Sequence, residues 1–282
     1  MRETSNPVFR SLPKQQGGYA QFGTGAAGFG AQQVHAQPYA QEYLEQPQTG
    51  VSRPLTIDDV VTKTGITLAV LSAVAVVSYF LVSGNLALAT PFALVGGLGG
   101  LVLVLIATFG RKQDNPAIVL TYAALEGLFL GAVSFIIANI ASVGGVGMIA
   151  QAIVGTMGVF VGMLVVYKTG AIRVTPKFTR MIIAGMFGVL ALMLLNFVLA
   201  MFGVGGGAGL GLRDGGMLAI GFSLLCIGLA AFSFLIDFDA ADQMVRAGAP
   251  EKAAWGIALG LTVTLVWLYI EILRLLSYFN ND

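Results

Sequence analysis

Seven apolar stretches follow a polar opening segment, at approximately residues 64–83, 88–109, 116–140, 146–167, 180–203, 216–237 and 253–277. Each is almost continuously apolar, with no period of two. At a rise of about 1.5 Å per residue, a helix of roughly 20 residues crosses the 30 Å or so of bilayer hydrocarbon. Membrane barrels use alternating strands of about ten residues, so these runs predict helices. The expected fold is all-α: a polytopic membrane protein built as a seven-transmembrane-helix bundle. Asn115-Pro116 is a helix-start signature, because asparagine caps free backbone amides and proline loses nothing at the first helical position. Pro91 and Pro176 mark further helix entries. Glycines spaced by four, Gly127 with Gly131, Gly158 with Gly162 and Gly256 with Gly260, predict seams where helix backbones approach closely.

Residues 1–55 are rich in Gln, Gly, Ala and Pro, carry isolated aromatics and show no sustained period. They read as a disordered tail ahead of a transmembrane domain over residues 56–282. The tail lacks the basic start and short apolar core of a secretory signal, so the first span itself is expected to direct insertion. Basic residues in short loops set orientation. Arg2, Arg10, Lys14, Arg53, Lys63, Arg111, Lys112, Lys168, Arg173, Lys177, Arg180, Arg246 and Lys252 fall on one side, thirteen of the fifteen in the chain. The opposite loops, 84–87, 141–145 and 204–215, contribute only Arg213. The expected N-terminus is therefore cytoplasmic, and the C-terminus lies across the membrane. The glycine-rich run Gly205 to Gly211 lacks the Gly-Lys-Ser or Gly-Lys-Thr of a phosphate loop and reads as a flexible connection.

Composition narrows the function classes. The chain has 282 residues, 56% hydrophobic and 10% charged, with a mean hydropathy of +0.84. These values fit a membrane protein in contact with lipid and not a soluble domain. The net charge of +1 provides no field to attract nucleic acid. Cys226 is the single cysteine and lies in the sixth span, which excludes an intrachain disulfide. His35, the single histidine, lies in the tail, so no zinc site of histidine and cysteine is available. No cofactor is expected.

The remaining chemistry is in the carboxylates. Glu271 sits inside the seventh span, in Trp267-Leu-Tyr-Ile-Glu-Ile-Leu-Arg-Leu-Leu276. An ionisable group near the bilayer centre costs roughly 2.5 to 3.5 kcal/mol on insertion scales, so it faces a partner, a bundle interior or a water-filled path. Arg274, three residues on, offers a structural ion pair on the same helix surface. A second carboxylate beside Glu271 would instead make a proton-binding pair, and the same oxygens suit a hard cation such as calcium. Glu126 lies mid-span on the face of Tyr122 and is a supporting candidate along with Arg274. Asp237 and Asp239 lie where the sixth helix is expected to emerge, with Asp242 just beyond. If the sixth and seventh helices turn at Gly248, Asp237 and Glu271 differ in depth by roughly 18 Å. Irregular backbone between Val245 and Ala254 would be needed to bring them level.

These segments carry a resemblance. Asn115-Pro-Ala-Ile-Val-Leu-Thr-Tyr-Ala-Ala-Leu-Glu-Gly-Leu-Phe-Leu-Gly131, the aspartates of Leu235-Ile-Asp-Phe-Asp239 and the ending Trp267 to Leu276 resemble the Bax inhibitor-1 or YccA-like family, in its bacterial branch with a long polar N-terminal tail. The likeness covers about residues 55–280. It implies a bundle whose last helix is central, in a bacterial inner membrane, and a pH-dependent calcium leak. Its gate would use paired acids on helices six and seven, here Asp237 or Asp239 with Glu271. Asp237 and Glu271 are then the expected cation ligands, with calcium the transported ion. The family's final acid is often Asp, so Glu271 reaches one methylene further, and the segment between the two acids is longer here.

Two functional classes follow. The first is a pH-sensitive cation leak channel or transporter that binds calcium or protons at Asp237, Asp239 and Glu271. The second is a regulatory protein that modulates a membrane partner, since some relatives associate with a membrane-anchored protease. An intramembrane hydrolase is disfavoured, because no span carries a histidine, a two-metal carboxylate motif or a nucleophile with a base at helical spacing. The chain is expected not to be an enzyme.

Overall fold

A computed structural model describes residues 53–140 and 145–280. Among the described residues, seven helices are long and apolar enough to cross a membrane: α1 Ile57–Gly84, α2 Ala89–Phe109, α3 Pro116–Phe135, α4 Gly145–Thr169, α5 Pro176–Met201, α6 Met217–Arg246 and α7 Ala253–Phe279. The protein is therefore a polytopic all-α membrane protein. Large apolar side chains such as Leu190, Leu194 and Phe197 of α5 stand on the outer surface, as lipid-facing residues do. The expected disordered tail lies outside the described residues except for its last three positions.

Local signals set most helix starts. Asn115 accepts from the Ala117 amide at 2.9 Å with Pro116 in the first turn of α3. Thr175 caps α5 through the Phe178 amide at 3.2 Å, ahead of Pro176. α1 begins seven residues earlier than expected, because Thr56 and Asp59 form a reciprocal capping box that carries the helix back through polar sequence. α6 runs nine residues past Asp237, which places Asp237, Asp239 and Asp242 within a helix rather than at its emerging end. Beyond Asp237 no glycine or proline occurs until Gly248, where φ is +65°.

α7 is central. It packs against α1, α3, α4 and α6 and is the most buried of the seven helices. α5 leans mainly on α6 and is largely lipid-exposed. Between α4 and α6, Phe160 meets the rings of Phe234 and Phe238 edge-on, with centroids 5.3 and 5.5 Å apart. Only one of the three expected glycine seams holds. A side chain on Gly127 would meet the Leu71 carbonyl at 2.6 Å and Val74 at 2.8 Å, so α3 needs glycine there to sit against α1, and Gly131 is equally crowded by Ser78. A Cβ on Gly158, Gly162 or Gly260 would meet nothing within 4 Å. A further seam joins α2 to α3, where a Cβ on Gly96 would meet the Phe129 backbone at 2.6 Å.

At the end where α1 begins, here the near end, residues 53–55 are tied to the α6–α7 connection. The Leu55 amide donates to Ala249 O at 2.8 Å, the Glu251 amide donates to Arg53 O at 2.9 Å, and Pro54 bridges Pro250. Lys63 closes the clasp by donating to Glu251 Oε1 at 3.0 Å. These three tail positions are ordered because their backbone groups find partners there.

Candidate functional site

The seventh helix carries two polar centres at different depths. Nearer the middle, Thr264 of α7 donates its hydroxyl to Asp237 Oδ2 of α6 at 2.8 Å. Toward the far end, Glu271 is buried, with 2% of its surface exposed. Its two oxygens take parallel hydrogen bonds from Arg213, Nη1 to Oε2 at 2.9 Å and Nη2 to Oε1 at 2.8 Å. This fork geometry is the strongest arrangement a guanidinium makes with a carboxylate. Arg274 Nη1 adds a longer contact of 3.4 Å to Oε1. The guanidinium of Arg213 also lies 5.1 Å from the centre of the Phe222 ring.

The structure does not bring Asp237 and Glu271 together. The Asp237–Thr264 bond fixes the register of the α6–α7 hairpin, and Glu271 lies seven residues, or roughly 10 Å, beyond that level. Trp267 and the fully buried Leu268 occupy the intervening turns of the helix. The hairpin therefore recovers part of the depth difference expected from a turn at Gly248, and the offset that remains is filled by apolar side chains. A cation site built from Asp237 and Glu271 is not assembled in this arrangement. Among the described residues, no three His, Cys, Asp or Glu side chains gather as a metal cluster.

Asp239 belongs to a different group from Asp237, because residues two apart on a helix point to nearly opposite sides. It accepts from Gln243 Nε2 at 2.6 Å and, at 3.5 Å, from Tyr167 OH. Tyr167 also reaches Asp242 at 3.3 Å, and Asp242 pairs with Arg246 at 2.7 Å. Asp239 thus sits in a near-end network of α4 and α6. Glu126 stands on α3 against the backbone of Gly100 in α2, with no hydrogen bond or ion pair among the described residues.

Arg213 is the site residue that the sequence reading passed over. Its signal was its isolation as the one basic residue in the loops of the far side, and its surrounding glycines suggested only a connection. The loop is instead folded back on the bundle: Leu210 donates its amide to Asn196 Oδ1 at 2.7 Å, and Leu212 is buried with Val189, Phe222 and Cys226. Arg274 was expected as the structural partner of Glu271, and it takes the secondary position.

A sequence model of the Bax inhibitor 1 like family matches residues 6–281. The chain belongs to that family. No curated protein matches it. In this Bax inhibitor 1 like protein, the acids that the resemblance points to lie on α6 and α7 as expected. Each, however, is satisfied by its own non-acidic partner, Asp237 by Thr264 and Glu271 by arginine.

Proposed function

We propose that this protein is a pH-sensitive membrane leak channel or transporter for cations, with calcium as the ion, and that it is not an enzyme. The observation that carries this reading is the placing of Asp237 and Glu271 at two levels along the central helix, inside the bundle, with an apolar block between them. A cation crossing the hydrocarbon region needs oxygen ligands at intervals and a hydrated route between them. Protons compete for the same carboxylate oxygens, which gives such a path its pH dependence. In this reading the arrangement is a closed one: Trp267 and Leu268 keep the segment between the acids dry, and Arg213 occupies the outer carboxylate. Opening requires both to move. In this reading the protein sits in a bacterial inner membrane with its N-terminus in the cytoplasm, a choice supported by the thirteen of fifteen basic residues expected on that side.

The test is calcium flux into proteoliposomes from about pH 5 to about pH 8, the span in which buried acids are commonly shifted. Asp237→Asn removes the charge while keeping an acceptor for Thr264, and it should flatten the pH dependence. Glu271→Gln should raise the flux at every pH by freeing Arg213. Absence of flux from folded wild-type protein across the range would discard the leak.

A second reading, a regulator of a membrane partner such as an anchored protease, is favoured by one feature. The chain leading out of the tail is clasped to the α6–α7 connection, so a partner holding residues 1–52 would pull on the hairpin that carries Asp237 and Glu271. Deleting residues 1–52 should spare flux under the first reading and abolish partner control under the second.

A further inference from the structure

Segment 202–216, which joins α5 to α6 at the far end, is more than a connection. Gly203, Gly205, Gly206, Gly207, Gly209, Gly211 and Gly215 all have positive φ, and this run of left-handed positions turns the chain back over the bundle. The returning segment places two unlike anchors side by side. Leu212 is buried in an apolar cluster with Val189, Phe222 and Cys226, and Arg213 grips Glu271.

We propose that this segment is a strap that closes the far end of the bundle, with Arg213–Glu271 as its latch and Arg213 as the outer gating residue of the path proposed above. Three features fit a latch that releases rather than a permanent tie. The cluster holds two guanidiniums and one carboxylate, so it carries one cation in excess within the membrane, and withdrawal of Arg213 takes that excess to water. The Arg213 side chain is already 21% exposed and lies close to the surface it would move toward. Arg274 remains 3.4 Å from Glu271, so the carboxylate keeps a partner when the strap lifts. Departure of Leu212 with Arg213 removes part of the cluster that buries Cys226, which is fully buried in the closed form, and so opens the thiol to water.

The inference rests on the leak reading only where Arg213 is made a gate; the strap itself is tested without ion flux. Cys226 is the chain's single thiol and reports strap opening in otherwise native protein. The reaction rate of Cys226 with a charged, water-soluble maleimide is measured in lipid nanodiscs. Wild type should react slowly. Arg213→Gln should react at least ten times faster, and the exchange Arg213→Glu with Glu271→Arg should restore much of the protection. Asn196→Ala, which removes the acceptor for Leu210 without touching the buried charges, should give an intermediate rate. An unchanged rate in folded Arg213→Gln overturns the strap. If Arg213→Gln does not fold, a wild-type rate in Asn196→Ala overturns it. Calcium flux on the same samples separates the two claims: faster labelling with no flux in any variant keeps the strap and discards the leak.

Discussion

Glu271 and Asp237 are both acids on helices that cross the membrane, and their neighbours give them different parts. Glu271 is held by two arginines in a buried cluster, whereas Asp237 is held by one neutral hydroxyl. Removing the charge from Glu271 strands two guanidiniums, so Glu271→Gln should lower unfolding stability in nanodiscs by roughly 3 to 5 kcal/mol, as breaking a buried ion pair does. Thr264→Val removes one hydrogen bond and should cost only about 1 to 3 kcal/mol. Equal losses would mean that Glu271 is not held as an ion pair. The need for a partner at Glu271 was legible in the sequence, because an acid within an apolar run is costly wherever it lies. The identity of the partner was not. Arg213 is 58 residues away and reaches Glu271 only because a loop folds back.

Among the elements, the same spacing of glycines has different consequences in different helices. Gly127 faces α1 across a gap too narrow for any side chain, and Gly158 faces open space. Gly127→Val should therefore separate α1 from α3 and destabilise the protein by roughly 1 to 3 kcal/mol or more, the usual cost of overpacking, while Gly158→Val should leave its unfolding transition within experimental error. Thermal unfolding of both variants in the same lipid checks the contrast. Helix positions were readable from apolar length and from caps such as Asn115-Pro116, because both are local. Which glycines form seams depends on the neighbouring helix, and sequence spacing carries no information about that. α6 extended beyond its apolar window because Ala240, Ala241, Gln243, Met244 and Arg246 are good helix formers and continue a helix in water as well as in lipid.

At the scale of the molecule, the near-end clasp ties the exit from the tail to the α6–α7 hairpin, and its strength depends on pH. The hydrogen bond and charge of Lys63 hold the Glu251 carboxyl below its ordinary value of 4.5. A carboxyl with a depressed native value stabilises the fold above its unfolded value, and that contribution disappears as pH falls through the native one. Wild type should therefore melt above Glu251→Gln at neutral pH, and the two should converge in acid below the ordinary carboxyl range. A constant difference in Tm across that range would show that the Lys63–Glu251 pair is not what Glu251 contributes.

The sequence by itself determined the class of the protein, its number of spans, the centrality of the helix ending in Trp267 to Leu276 through its resemblance, and the acids that need explaining. Each of these follows from local hydropathy, capping or motif order. Only the tertiary structure decided that Asp237 faces Thr264, that Asp239 belongs to the near-end network, and that Arg213 rather than another acid meets Glu271. Those outcomes depend on hairpin register and on the return of a glycine-rich loop. A shift of a few residues in either moves a side chain by several ångströms along the helix axis without changing the hydropathy pattern.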